Sequence, residues 1–314
     1  MSEKAVKKPV ARKDMTKLQW TLKEMRRNYI GYIFIAPFMF IFFLFTVIPV
    51  ALSLVVSLTN FNMMEWPDFI FMDNYIRLFL DDDLFITAVK NTIIFAVITG
   101  PTSYFLSLFT AWFINELPPK IRAIITLIFY APSISGGALM IWQVLFANDS
   151  YGWANGWLLK LGMIDTPILW FQDVKYIMPL CIIVSLWTSL GTSFLAFIAG
   201  LQGINRSLFE AGAMDGIKNR WQELWFITLP SMKDQLMFGA VMAITGAFGY
   251  GGIVTALCGF PSTDYAAYTI SHHLDDYGGS RYEIGYASAI SFILFMMMMG
   301  SNLLIQKLLK KVGQ

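Results

Sequence analysis

Charge is scarce in this chain. Asp, Glu, Lys and Arg together supply 14% of its 314 residues while 56% are apolar, and a soluble globular domain carries roughly a quarter charged residues. That balance excludes an ordinary soluble fold and points to an integral membrane protein. Cysteine is scarcer still, with two residues. Cys181 and Cys258 both fall in apolar stretches, which reads them as small core residues and gives no basis for a structural disulfide. No Gly-x-x-x-x-Gly-Lys-Ser/Thr phosphate loop occurs anywhere, so the chain is not itself a nucleotide hydrolase of the usual kind. The only histidines, His272 and His273, stand beside Asp275 and Asp276. With no further Cys or His to complete a ligand set, they are expected in a hydrated loop and no metal site is expected.

Six long apolar stretches remain. Residues 29–64, 91–115, 123–148, 176–205, 235–263 and 284–306 contain no Asp, Glu, Lys or Arg. As helices rising 1.5 Å per residue, each can cross the hydrocarbon layer of about 30 Å. They lack the apolar/polar alternation of a barrel strand, and a bilayer offers the backbone no water, so helices are required. The expected fold class is an all-α membrane protein with six transmembrane helices. The first apolar stretch exceeds a signal-peptide core and shows no small-residue cleavage site, so it is expected to stay as a helix.

Basic residues set the topology. Nine Lys or Arg precede Tyr29, and Lys120, Arg122, Arg206, Lys218, Arg220, Lys233, Lys307, Lys310 and Lys311 fall on the same side of a six-span layout. That makes eighteen against five on the other side, Arg77, Lys90, Lys160, Lys175 and Arg281. The positive-inside rule therefore places the N and C termini in the cytoplasm. Residues 1–28 read as a basic cytoplasmic tail, disordered and attracted to anionic membrane lipid. Loops near residues 62–90, 149–175 and 261–283 fall outside. Asp81-Asp82-Asp83 reads there as a solvated or helix-start acidic cluster.

Between the fourth and fifth stretches lies a polar island, Glu210-Ala211-Gly212-Ala213-Met214-Asp215-Gly216, followed by Ile227-Thr228-Leu229-Pro230. Leu208, Phe209, Ala211, Ala213 and Met214 give it an apolar face for a partner, and Glu210 and Asp215 supply hydrogen-bond acceptors. Gly216 allows a reversal through positive φ, and Pro230 suits the first turn of the next helix. Trp221 and Trp225 read as interfacial anchors that also brace the loop. Gly200-Leu201-Gln202-Gly203-Ile204 leads into this island, and with Trp221, Trp225 and Leu229-Pro230 the run resembles the coupling loop of ABC importer permeases of the carbohydrate type. Two departures stand out: Gly212 occupies the position of a second alanine, and ten residues rather than nine separate Gly216 from Ile227. Gly285-Tyr286-Ala287-Ser288-Ala289 resembles the last-helix signature of the maltose permease's larger-subunit type, and the likeness extends roughly over residues 29–311.

That resemblance implies a type I ABC importer permease fold over residues 29–311, with a cytoplasmic coupling loop at about 203–231. It assigns ATPase coupling to Glu210, Ala211, Gly212, Asp215, Gly216, Leu229 and Pro230. It implies a second permease subunit, two ATP-binding subunits that use ATP and Mg, and an extracytoplasmic solute-binding protein. No cofactor is implied on this chain, no catalytic residue and no nucleic acid. The place would be the cytoplasmic membrane of a prokaryote, as a multi-pass protein, and the solute a sugar or oligosaccharide.

The absence of ionisable groups inside the stretches argues against an ion- or proton-coupled secondary carrier of a neutral solute, which is the alternative. A neutral polyhydroxyl ligand needs hydroxyls, amides and aromatic faces. Ser185, Trp187, Ser189 and Thr192 offer these, with the three hydroxyl residues on one helix face at i, i+4 and i+7. The resemblance places the pathway at Ser185, Ser189 and Thr192, and at Gly246 and Tyr250 beside a glycine kink at residues 249–252. Packing between helices is the competing explanation for these small residues. The Met296–Met299 run reads as lipid-facing packing.

Overall fold

The computed structural model describes residues 16–312. Most of the expected disordered tail, residues 1–15, lies outside the described residues, and Lys17–Arg27 form helix α1, opened by a capping box between Thr16 and Gln19. The chain divides after Val55 into two compact units. In the first, α1 leads into α2 (Tyr29–Phe42), a π-helical turn (Phe43–Val47) and α3 (Ile48–Val56). α2, the turn and α3 run as one 28-residue apolar helix. The widened turn has a local cause. Pro49 cannot donate to a carbonyl four residues back, and the Ile48 N–H bonds instead to Phe43, five residues back.

The second unit contains α4 (Asp73–Leu80), α5 (Asp83–Asn115), α6 (Pro119–Ile134), α7 (Ala138–Leu145) and α8 (Trp153–Lys160). α9 (Val174–Thr188) and α10 (Thr192–Gly203) follow, then the polar loop with α11 (Arg206–Met214), α12 (Arg220–Glu223) and α13 (Leu229–Ser231). α14 (Lys233–Phe248), α15 (Gly251–Cys258), α16 (Ile270–Asp275) and α17 (Ile284–Val312) complete it. The six charge-free stretches coincide with four apolar helical runs, one of them α9 with α10, and two bent pairs, α6 with α7 at 81° and α14 with α15 at 43°. The second bend falls at Gly249-Tyr250, where a glycine kink is expected. The first follows Pro132 and breaks over Ser135-Gly136-Gly137, residues that resist helix continuation.

Three apolar clusters stack along α5, which at 33 residues is about 50 Å long. One joins Leu108, Trp112, Phe194, Phe197, Leu224 and Met232 at the polar-loop end. A middle cluster holds Phe95, Ile177, Cys181, Val184, Val254 and Leu257. A third, at the far end, gathers Leu78, Phe85, Tyr268, Tyr286 and Ile290. The far end is closed by backbone contact. Gly285 donates its N–H to Phe61 at 2.8 Å, and a Cβ there would strike the Thr59 carbonyl, so only glycine permits the approach. Asn155, fully buried, ties the segment between α7 and α9: its Nδ2 donates to the carbonyls of Ala147, Asp149 and Ile168, and its Oδ1 accepts from Ile168 N and Trp170 Nε1.

Candidate functional site

The polar loop is a built structure. Asn205 caps α11 by accepting from Ser207 N at 3.1 Å. The helix ends in a Schellman motif: Ile217 N–H reaches the Gly212 carbonyl at 3.0 Å and Gly216 N–H reaches Ala213 at 3.3 Å, with Gly216 at φ +94°. Asn219 then caps α12 through Gln222 N. α12 continues through a second π turn, Leu224–Thr228, into Leu229-Pro230, and the Leu229 N–H bonds to Leu224. This repeats the device before Pro49. Pro230 thus sits in the last turn of one helical run, and the fifth apolar helix begins after a break at Met232 rather than at the proline.

One face of the loop is anchored. Leu224 and Met232 enter the cluster at the end of α5, and the Trp221 ring packs 5.2 Å from Trp112. Arg220 bridges Glu116 at 3.1 Å and Glu223 at 3.0 Å. Gly212 is buried, and a Cβ there would lie 2.6 Å from the Ile227 side-chain end. The glycine that departs from the alanine pattern therefore faces inward and lets Ile227 close on α11. The other face is open: Glu210, Ala211, Asp215 and Gly216 are exposed. Glu210 makes only a long 3.9 Å pair with Arg206, which contributes little at such exposure. Beside it Leu208, Trp225 and Phe226 are exposed, and Met214 is 88% exposed. Apolar side chains displayed on an otherwise polar, hydrogen-bonded loop form an exposed apolar patch.

The pathway residues do not form the single face read from their spacing. The helix breaks over Ser189-Leu190-Gly191 between α9 and α10, which resets the rotation between Ser185 and Thr192. Ser185 is fully buried, and its Oγ finds no partner within the described residues. Ser189 Oγ bonds back to the Leu186 carbonyl at 2.7 Å, and Thr192 is exposed. Trp187 meets Trp142 edge to face at 5.7 Å. Gly246 is open, with nothing near a would-be Cβ, and Tyr250 packs against Phe95 at the bend. Two cavities are lined by other residues: an apolar groove of about 560 Å³ between α5, α14 and α17, and a polar cleft of about 450 Å³ around Asn60, Arg77, Asp81, Glu283 and Tyr286.

Beside that cleft lies a network that no motif marks. Asp82 caps α5 at Phe85 N and accepts from Tyr286 Oη at 2.7 Å and His273 Nε2 at 3.0 Å. Its side chain is 10% exposed, so one member of the acidic triplet turns inward. Burial would raise its carboxyl, but the bonds from Tyr286, the Phe85 amide and His273 hold it below the ordinary value. Both histidines are buried rather than hydrated, His272 through Thr269 and Thr255, His273 through Asp82. Burial pushes His273 below the ordinary histidine value in spite of Asp82. Arg77 adds a 2.6 Å pair with Glu283 and lies 4.2 Å from the Tyr286 ring centre. Among the described residues no His, Cys, Asp and Glu groups converge as a metal site.

Long apolar helices, two of them bent pairs, around a structured and partly apolar loop define a multi-pass membrane protein. Comparison with known proteins takes this further. No protein-family model matches the chain. The probable ABC transporter permease protein YesP of Bacillus subtilis (strain 168) is 34% identical over 277 residues, covering 86% of each chain. The lactose transport system permease protein LacF of Rhizobium radiobacter is 32% identical, covering 69% of this chain and 72% of its own. A crystal structure of a bacterial ABC transporter involved in the import of alginate superposes with a TM-score of 0.72 at 24% identity, covering 94% of this chain and all of that one. The chain belongs to the sugar ABC transporter permeases. It is a transport permease component and not an enzyme.

Proposed function

We propose that the chain is the membrane-spanning subunit of an ATP-driven importer that passes a sugar or oligosaccharide across the cytoplasmic membrane of a prokaryote. The single observation that carries the coupling is the loop: a capped, glycine-closed unit pinned to α5 by Trp221 and Arg220, presenting Glu210, Ala211 and Met214 outward. An ATPase subunit that receives this face can pull on α5, α10 and α14 together, because Leu224 and Met232 share their core. In this reading each bent pair is one span, so six helices cross over residues 29–311, both termini are cytoplasmic, and Asp82 and His273 lie at the outer end.

The partners are a second permease subunit, two ATP-binding subunits that hold ATP and Mg, and an extracytoplasmic solute-binding protein. Support for the last comes from a structural neighbour, an alginate ABC transporter in complex with an alginate pentasaccharide-bound periplasmic protein, at TM-score 0.73 and 22% identity. The pathway candidates Ser185, Trp187, Ser189, Thr192, Gly246 and Tyr250 flank the break after α9 and the bend before α15. The experiment is purification of the tagged chain from its native membrane in mild detergent, wild type beside Glu210→Lys, with mass spectrometry of the bound proteins. Wild type should bring an ATPase and a second permease, and the variant should lose the ATPase alone. A wild-type chain that comes without an ATPase would overturn the reading.

A further inference from the structure

The only two cysteines of the chain, 77 residues apart in sequence, meet. Cys181 Sγ and Cys258 Sγ stand 3.7 Å apart, on α9 and on the last residue of α15. A buried residue touches roughly 6–12 others, so two positions drawn at random from 314 would meet only a few times in a hundred. Cys181 is fully buried and Cys258 half-buried, next to exposed Gly259 at the end of the helix. A disulfide needs the sulfurs at about 2.05 Å. At 3.7 Å the two thiols are in van der Waals contact, the reduced arrangement from which that bond can close.

The pair also occupies a mechanically sensitive place. α15 is the half of the fifth apolar helix beyond the 43° bend, and the bend is set among glycines: a Cβ on Gly246 or Gly252 would meet nothing within 4 Å. α9 carries Ser185 and Trp187 on one side of its break. We propose that Cys181 and Cys258 form a modification site, a dithiol that closes to an internal disulfide and locks α15 to α9 so that the bend cannot change. This rests on the importer reading, since it is the transport cycle that the lock would stop.

The oxidant is a small-molecule disulfide. The Cys258 thiolate, the more exposed of the two, attacks one of its sulfurs, forming a mixed disulfide and releasing one thiolate. Cys181 passes its proton to the small thiolate released in the first step and attacks the Cys258 sulfur, the Cys181–Cys258 bond forms, and the second small thiolate leaves, taking up the proton that Cys258 gave to solvent. Two protein thiols are oxidised and one small disulfide is reduced to two thiols.

The test uses the complete transporter with its ATPase and permease partners in proteoliposomes, treated with oxidised glutathione. Thiols are counted by mass after maleimide alkylation in denaturing detergent, which opens the buried Cys181 to the reagent, beside ATP-driven uptake. Expected are two alkylated cysteines on this chain before treatment and none after, no added glutathione mass, and uptake lowered about tenfold or more, restored by dithiothreitol. Cys181→Ala and Cys258→Ala should keep uptake at their untreated rates under the oxidant. Two thiols that remain open to alkylation, or a closed pair with unchanged uptake, would overturn the proposal. Untreated wild type that fails to couple uptake to ATP would instead defeat the importer reading.

Discussion

Replacing Asp82 tests the far-end network, and the size of the effect can be worked from its bonds. Asp82→Ala removes the α5 cap at Phe85 N, worth about 1 kcal/mol. It also leaves Tyr286 Oη and His273 Nε2 buried without an acceptor, at about 1–3 kcal/mol each, for a total of about 5 kcal/mol. For a protein of this size that lowers an apparent melting temperature by roughly 10 °C. Asp82→Asn keeps an oxygen for one donor and should lose about half as much. The pH dependence gives a second signature. His273 is held neutral, below its ordinary value, so its contribution is whole above about pH 6.5 and falls away as acid protonates the unfolded chain first. Asp82, also held low, loses its contribution only further down, below about pH 3.8. Removing the carboxylate removes the anion bonded to His273 and leaves only the weaker pull of Asp276 to favour its protonated form, so the melting temperature of Asp82→Asn should fall more steeply than that of wild type between pH 7 and 5. His272, buried and likewise held low, acts equally in both proteins, and Asp276 and Arg281 stay in place. Fluorescence-detected melting of the purified transporter reads both effects. A variant that melts within a degree of wild type, or with an unchanged acid slope, would refute the reasoning.

Other outcomes follow from single contacts. Gly285→Ala drives a methyl into the Thr59 carbonyl and should cost about 3 kcal/mol, seen as a lower melting temperature; a neutral result would mean the 57–61 segment moves freely. Gly216→Val forces a branched side chain to φ +94° and should cost about 1–2 kcal/mol locally, leaving membrane insertion intact while ATPase capture in detergent falls. Trp187→Ala should lower solute-stimulated ATP hydrolysis about tenfold with the assembly whole; loss of assembly instead would assign Trp187 to packing against Trp142.

The apolar helices were legible because each stretch lacks any charge, a signal that needs no knowledge of packing. Gly216 and the kink at Gly249 were legible for a different reason: glycine is the residue such geometry requires. Other features leave no mark in hydropathy. The break at Ser189–Gly191 is as apolar as its flanks, so the i, i+4, i+7 spacing of Ser185, Ser189 and Thr192 read as one face when the backbone divides it. The widened turns before Pro49 and Pro230 depend on which carbonyl the neighbouring N–H finds. The Ile-x-Leu-Pro pattern suggests a helix start at Pro230 without revealing that turn. Asp82, Asn155 and His273 are polar residues between the apolar stretches, and residue type alone places them in water. Only long-range partners, Tyr286 for Asp82 and Ile168 and Trp170 for Asn155, turn them inward. The meeting of Cys181 and Cys258 is of the same kind, invisible until two helices are set side by side.

The most direct test of the central claim is ATP-driven sugar uptake and ATP hydrolysis measured together in proteoliposomes holding the transporter, with Glu210→Lys beside wild type. Glu210 is exposed and, among the described residues, tied by no more than the 3.9 Å pair to Arg206, so the change should leave this chain folded and paired with the second permease. The account predicts that uptake is lost and that ATP hydrolysis no longer responds to solute-loaded binding protein. A variant that imports at the wild-type rate would contradict the account and take the docking role away from this loop.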